Sequence, residues 1–488
     1  MFHLHIGLLK DKVLGGMETK PRKSSSVLLT LVSILAILLA CIYSSGCISL
    51  TYYDPSKACN GYTLISNDNA AKLIDMEGNI INTWTINSFP VKMFPNGSIM
   101  GQGGFGEARL ELSELVQLSW DGEEEWKFTD WDDVDGVMSA RVHHDFQKDG
   151  SPVGYYAPGQ EPQAYGGKVL VLGKADTLDP EISDKPLMDD VAYEVDWETK
   201  EATLLWKASE HFDELGFDEE GKQLVNDRGG DYLHINSLSR IGPNRWYDPD
   251  TGVGDPRFHP DNLIMDAREA NIIWIANMAE SDEYGVGEIV WRVGPDYSPG
   301  TPEGDKLGQI VGQHHAHMIQ PGLPGEGNIL VFDNGGAAGY PFIFRWTSRI
   351  LEFDPITLDL IWKYESENFF SYYISSAQRL PNGNTLIDEG STGRIFEVTP
   401  EGEIVWECID GAGIQTLGRV YRAYRVPPEW VPGNPSGYTA WSELYEGPEA
   451  VEETLLNEEP EAGEGSSLNE PELETTPQEL EEPLPEPV

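Results

Sequence analysis

Six of the ten histidines fall in three short strings. "ARVHHDF" carries His143 and His144, "DYLHINSLSR" carries His234 and Asn236, and "GQHHAHM" carries His314, His315 and His317. Imidazole can act as a nucleophile, as a general acid or base, or as a metal ligand. An HxH pair on a strand, such as His315 and His317, points both rings to one side. With a third histidine such a pair suits zinc or copper. Against a metal, Asp145 would make the set mixed, no spacing is diagnostic, and no CxxC pair exists. As a nucleophile, neutral imidazole both attacks and leaves well, which fits a covalent intermediate. A second histidine and an Asn or Arg would then stabilise developing negative charge.

The elements that must hold these strings repeat. Six short strands end in Trp: "GNIINTW" at Trp84, "GEEEW" at Trp126, "EATLLW" at Trp206, "GEIVW" at Trp291, "LDLIW" at Trp362 and "GEIVW" at Trp406. A "RILEFD"-type strand precedes most of them. Strand–turn–strand pieces such as "VKMFPNGSIM" and "QRLPNGNTLI" stand between units. Each unit therefore supplies four hairpin-connected strands, A to D, and repeats of that kind close radially into a β-propeller. The Trp repeat reads as packing between blades.

Complete units begin near Val91, His143, Leu233, His315 and Ser375, numbered blades 2 to 6. "GYTLIS", "KLIDM" and "NIINTW" lack a strand A, and "GRVYRAYRVPP" near the other end is a lone one. Joining them makes blade 1 and leaves no open sheet edge. The expected class is all-β: a six-bladed propeller of four-stranded antiparallel blades, closed by N- and C-terminal strands, spanning 60–430. Strand A lines the central channel, so histidines from blades 3, 4 and 5 converge on one axis. Only one of His143 and His144 can face it, while Asn236 shares the face of His234. Arg419 or Arg422 would add positive charge. "DNGG" at 333–336 is either a plain turn or shapes the channel mouth. Segments near 150–165, 210–230 and 247–260 interrupt the units and read as lids or binding loops. Cys59 and Cys408 lie near the seam, and a disulfide between them is expected.

The chain's formal charge of −49 argues against nucleic acid, which needs clustered Lys and Arg. Lys20, Arg22 and Lys23 precede an apolar run from Val27 to Tyr43. Residues 1–48 are expected to form a cytoplasmic stub with a membrane anchor, a transmembrane or signal helix, leaving the body outside the cytoplasm. Cys41 and Cys47 follow short lipoprotein-like boxes. Residues 443–488 hold sixteen Glu, many Pro and no Lys or Arg, and read as a disordered acidic tail.

The strings "DYLHINSLSR", "GEIVWRVG", "GQHHAHM", "NILVFDNG" and "SRILEFDPITLDLIW" together resemble the arylsulfotransferase family over roughly residues 60 to 430. The resemblance implies a six-bladed propeller that moves a sulfuryl group from an aryl sulfate to a phenol by a ping-pong cycle through a sulfohistidine, without a cofactor. Positioning and charge stabilisation dominate such chemistry. By motif, His234 is the LHINS histidine and Asn236 its neighbour. His315 or His317 is the next blade's channel histidine. The arginine after FDNG is Arg345, or else Arg349. His317 or His315 would attack sulfur, and His234 would protonate the leaving phenoxide. Asn236 and Arg345 would hold the sulfuryl oxygens, with His143, His144, Asn334, Arg349 and Arg422 nearby. One departure stands out: the family's well-studied members place the sulfated histidine later in the chain, and none follows His317 here. Blade 6 offers Tyr372, Tyr373, Ser375, Ser376 and Gln378 instead. The competing readings are a non-enzymatic surface propeller that binds a ligand, a partner or a divalent metal, and a quinone-cofactor dehydrogenase that nothing in the sequence specifically requires.

Overall fold

The computed structural model describes residues 47–67, 70–104, 111–280, 283–411 and 419–445. Six antiparallel sheets make six blades. Blade 2 is Asn87–Met93, Ile99–Gly103, Glu114–Leu118 and Glu124–Phe128; blade 3 is Val142–Lys148, Lys168–Thr177, Leu187–Asp196 and Ala202–Lys207. Blade 4 is Ile235–Arg240, Leu263–Ala267, Ile272–Ala276 and Ile289–Val293; blade 5 is His314–Met318, Ile329–Asp333, Arg349–Phe353 and Leu360–Glu365. Blade 6 is Ser376–Arg379, Thr385–Glu389, Arg394–Val398 and Ile404–Gly411. Blade 1 is shared, as expected: Ala423–Val426 is its strand A, followed by Tyr62–Asn67, Ala70–Ile74 and Ile80–Trp84.

The Trp repeat has a second purpose beyond packing. Each indole Nε1 donates to a carbonyl in the turn between strands C and D of the next blade. Trp84 reaches Ser119 at 2.9 Å, Trp126 reaches Trp197 at 3.0 Å, and Trp206 reaches Gly287 at 3.1 Å. Trp291 reaches Pro355, Trp362 reaches Pro400, and Trp406 reaches Met76, each at 2.8 Å. The last bond crosses the seam, so six indoles form a closed circuit around the ring. Large rings fill the space where adjacent sheets diverge, and the one polar atom of each is satisfied rather than buried bare.

The sequence reading started the body at residue 60, but a further strand precedes it. Cys47–Tyr53 pairs antiparallel with Ile404–Gly411 and gives blade 6 a fifth, outermost strand. Ile48, Leu50 and Tyr53 pack on the core of the seam. The segment Val27 to Tyr43 and the tail beyond 445 lie outside the described residues. Among the described residues, no helix is long and apolar enough to cross a membrane.

The expected Cys59–Cys408 bridge is not formed; both thiols are free and buried. Cys408 sits mid-strand between Leu50 and Ile395, its ladder partners. Cys59 belongs to a turn whose amide donates to Glu397 at 2.7 Å, and its Sγ lies 3.8 Å from the Tyr445 hydroxyl. Both side chains belong to the apolar core of the seam, and burial pushes the Cys59 thiol up to about 12.

Candidate active site

Strands A of blades 3, 4 and 5 do not enter the channel as regular strands. His144, His234 and His315 all have positive φ, at 58°, 53° and 57°. The ladders slip across His144 and His315, and in blade 4 just after His234, between Ile235 and Ser237. A bulge of this kind re-aims one side chain, and left-handed backbone at a non-glycine residue clusters at functional sites. The slip breaks the simple i, i+2 rule. His234 faces one end of the channel, while Asn236 turns into the contact between blades 4 and 5 and donates to the Gln313 carbonyl at 2.9 Å.

At that end lies a cavity of about 440 Å³. His144, His234 and His314 line it, with Arg228, Arg268 and Arg419 as cations, and Phe89, Tyr373 and Tyr421 as aromatic walls. Asp231, Glu269, Asn67 and Ile374 complete it. Three guanidinium groups face two carboxylates, Asp231 and Glu269, at this opening, a small local cationic excess in an acidic chain. The segment between blades 3 and 4 delivers Arg228, and the turn between strands B and C of blade 4 delivers Arg268. Asp218 caps the helix Glu219–Arg228 by accepting from the Gly221 amide at 2.7 Å. Arg228 ends the helix, and Gly229 and Gly230, with φ of 58° and 57°, turn the chain sharply to Asp231. Arg228 then pairs with Glu269 at 2.5 Å, beside Arg268, which pairs with the same carboxylate.

Two of the three histidines carry different partners. His234 gives its Nδ1 proton to Asp231 at 2.5 Å, so its Nε2 is left for the cavity. Burial would raise the Asp231 carboxyl, but Lys174 and His234 hold it well below the usual carboxylate range. Lys174 bridges Asp231 and Asp190, at 2.6 Å each. Asp190 in turn accepts from His143 Nε2 at 3.0 Å, and His143 Nδ1 lies 2.9 Å from His144 Nδ1. With its proton committed to Asp190, neutral His143 must accept at Nδ1. His144 therefore donates from Nδ1 and keeps a lone pair on Nε2. Burial, then neighbouring His234 and His143, hold His144 well below the ordinary imidazole range, so it stays neutral. The His144 and His234 rings are 4.6 Å apart, edge to face. His314 is spent structurally: Nδ1 donates to Asn334 Oδ1 at 2.8 Å and Nε2 accepts from the Ile374 amide at 3.1 Å.

Several expected site residues lie elsewhere. His315 and His317 are in the channel but farther along strand A, with ring centroids 4.5 Å apart and outside the cavity lining. His317 is bonded on both nitrogens, to the His315 carbonyl and the Tyr155 hydroxyl, each at 2.8 Å. Tyr155 comes from the segment between strands A and B of blade 3; its ring meets His315, His317 and Tyr424, and with Val153 and Ala157 it joins the buried apolar cluster there. Arg345 and Arg349 both clamp Asp333, at 2.7 and 2.5 Å, and fix the 307–309 backbone. A carboxylate that is buried and near at hand outcompetes the channel for both guanidiniums. Asn334 staples blade 5 to the Ser371 and Ile374 carbonyls. Arg422 is buried under the cavity, bonded to Asp145 and to the Asn236 carbonyl at 2.8 Å each. Lys92 binds the other oxygen of Asp145 at 2.8 Å, which makes a buried ionic knot under the mouth.

The sequence reading missed Asp231, Lys174, Asp190, Arg228, Arg268 and Phe89. Asp231 alone had a local signal, three residues before His234; the others come from other strands and loops. Among the described residues, no group of three or more His, Cys, Asp and Glu is placed to hold a metal ion.

Fold and cavity define a six-bladed propeller that presents paired imidazoles and three arginines among aromatic rings at one end of its channel. The family model described as Arylsulfotransferase (ASST) matches residues 167–411, half of the chain, and the chain belongs to that family. No curated protein matches it. Among solved structures it is similar to a protein of unknown function from Bacteroides caccae, at 11% identity and TM-score 0.40, covering 75% of this chain and 98% of that one. It is also similar to Saccharomyces cerevisiae Sqt1, at 10% identity and TM-score 0.34, covering 77% and 90%. These likenesses are too loose to add to the family assignment.

Proposed function

We propose that the protein transfers a sulfuryl group from an aryl sulfate to a phenol, with His144 as the nucleophile and the His234–Asp231 pair as acid and base. The observation that carries this reading is the contrast between two rings 4.6 Å apart. Both are half-buried, but His144 is held neutral with its Nε2 lone pair free, and His234 gives its Nδ1–H to the Asp231 carboxylate.

In the first half, the His144 Nε2 lone pair forms the N–S bond while the S–O(aryl) bond breaks. The departing phenoxide takes a proton from Nε2 of protonated His234. In the second half, the acceptor phenol returns a proton to His234 Nε2 as its oxygen attacks sulfur and the N–S bond breaks. Arg228, Arg268 and Arg419 face the sulfuryl oxygens, and Phe89, Tyr373 and Tyr421 take the aryl ring. Blade 6 puts Ile374 at the rim, where no histidine competes for sulfur. This assignment differs from the expectation built on His317 and His315, because neither lines the cavity and His317 has no free nitrogen.

The test is a burst of p-nitrophenol from p-nitrophenyl sulfate without acceptor, followed by peptide mapping of the trapped sulfuryl group. The group on His144 is the expected result; a sulfated His317, or no burst, refutes the assignment. We also propose that residues 27–43 hold the propeller at the outer side of a membrane, on the basis of their apolar run and basic flank. Recovery of the full chain in the soluble fraction after gentle lysis would refute that placement.

A further inference from the structure

Beside the mouth lies a surface that the transfer chemistry leaves unused. The segment between strands B and C of blade 5 and the link to blade 6 hold aromatic rings outward. Trp346 is 75% exposed, Phe342 70% and Tyr372 40%. Singly exposed apolar residues are ordinary, but a contiguous set marks a contact. Trp346 and Tyr372 are joined through the half-buried Phe344. Trp346 meets Phe344 at 4.4 Å between centroids, Phe344 meets Tyr372 at 6.2 Å, and Tyr372 meets Tyr373 at 6.1 Å. Tyr373 is itself a wall of the histidine cavity, so the string of rings runs from the cavity out to solvent.

The platform is held in place rather than loose. Arg345 stands between Phe344 and Trp346, and its guanidinium is drawn inward by Asp333 and the Gln309 carbonyl. Its amide donates to the Gly335 carbonyl at 2.7 Å, and the Ser371 amide donates to Ser348 at 2.8 Å. Rings fixed before a ligand arrives lose little freedom when it stacks.

We propose that this platform is a second aryl subsite, and that the acceptor is a phenol carrying one or more further aromatic rings. The phenol ring enters the cavity and the distal ring lies against Tyr372, Phe344 and Trp346. This inference rests on the sulfuryl-transfer reading and names the class of its acceptor. The rings favour a flat aromatic ligand through offset and edge contacts, and their continuity with the cavity wall places that ligand on the reaction path. A bilayer is the disfavoured occupant, since a chain of charge −49 is repelled by anionic lipid.

The experiment compares phenol with 4-hydroxystilbene as acceptors for the full chain, with p-nitrophenyl sulfate as donor. The stilbene is expected to have a KM about tenfold lower than phenol, and Trp346→Ala to raise it about three- to tenfold, with Trp346→Phe keeping most of the affinity. Phenol, too short to reach Trp346, keeps its KM in all three proteins. Equal KM values in the native protein, or equal changes for both acceptors, overturn the subsite. So does an unchanged stilbene KM in a Trp346→Ala protein that no longer binds phosphatidylcholine vesicles, which would make the platform a membrane face. Quenching of tryptophan fluorescence by 4-hydroxystilbene, without donor, separates the two readings. Quenching that is lost in Trp346→Ala upholds the subsite even if no sulfuryl group is transferred. Quenching equal in both proteins overturns it even if transfer is rapid.

Discussion

His144 and His234, ninety residues apart and on neighbouring blades, meet edge to face at 4.6 Å. Neither is replaceable by the other, because one leans on a neutral histidine and the other on an aspartate. His144→Ala and His234→Ala are each expected to lower kcat for sulfuryl transfer by roughly 10³-fold or more. Asp231→Asn is expected to lower it by roughly 10²-fold, with little change in KM, by removing the carboxylate behind the acid and base. His317→Gln is expected to stay within about tenfold of native. Steady-state kinetics on the four proteins decides the roles; a His317→Gln loss matching that of His144→Ala would return the nucleophile to the inner pair.

Among the arginines, position and not proximity in sequence decides the effect. Arg268→Ala removes a cation from the cavity and is expected to raise the aryl sulfate KM about tenfold, equivalent to roughly 1.4 kcal/mol of a charged hydrogen bond. Arg345→Ala is expected to leave KM unchanged and to lower stability by about 1 kcal/mol, since Arg349 still holds Asp333. Donor titrations and denaturant melts on both variants distinguish binding from scaffolding.

The circuit of indoles predicts a graded cost. Trp406 is fully buried and its bond to Met76 is the one that spans the seam. Trp406→Phe is expected to lose about 1–3 kcal/mol, because the Met76 carbonyl is left buried without a donor. Trp362, which is partly exposed, donates to a carbonyl that water can reach, and Trp362→Phe is expected to lose less than about 1 kcal/mol. Urea unfolding reads both; equal losses would remove the seam's special status.

Acid should weaken the fold from the channel outward. Burial holds His317 near about 4, and His143, His144, His314 and His315 are also lowered by burial. Between the unfolded value near 6.5 and the folded one, the unfolded chain binds more protons, so stability falls as pH drops through that window, which for His317 ends at about 4. For His317 alone the loss is about 3 kcal/mol. Melting temperature against pH for native and His317→Gln proteins checks this; the variant should show a shallower fall below pH 6.5.

The ring was legible in the sequence because its parts are local and repeated. The six Trp strands and the lone "GRVYRAYRVPP" strand gave blade number and closure, for reasons of hairpin chemistry alone. The histidine strings were legible as a group, and their sorting was not. A left-handed residue in each strand A redirects His144 and His234 and turns Asn236 away, and no residue type announces such a bulge. Arg345 was misplaced because sequence order put it after "FDNG", while Asp333 of that same string captures it. Lys174 and Asp190 serve the site from the second and third strands of blade 3 and could be read only from the pairing of strands.

Tyr155 reaches in from blade 3 to meet His315 and His317 of blade 5 and Tyr424 of blade 1. Three blades thus share one aromatic keystone: blade 3 lends the ring, blade 5 the two imidazoles it covers and blade 1 the tyrosine beside it. A substitution at Tyr155 is therefore felt across the hub, while the mouth lined by His144 and His234 keeps its own walls.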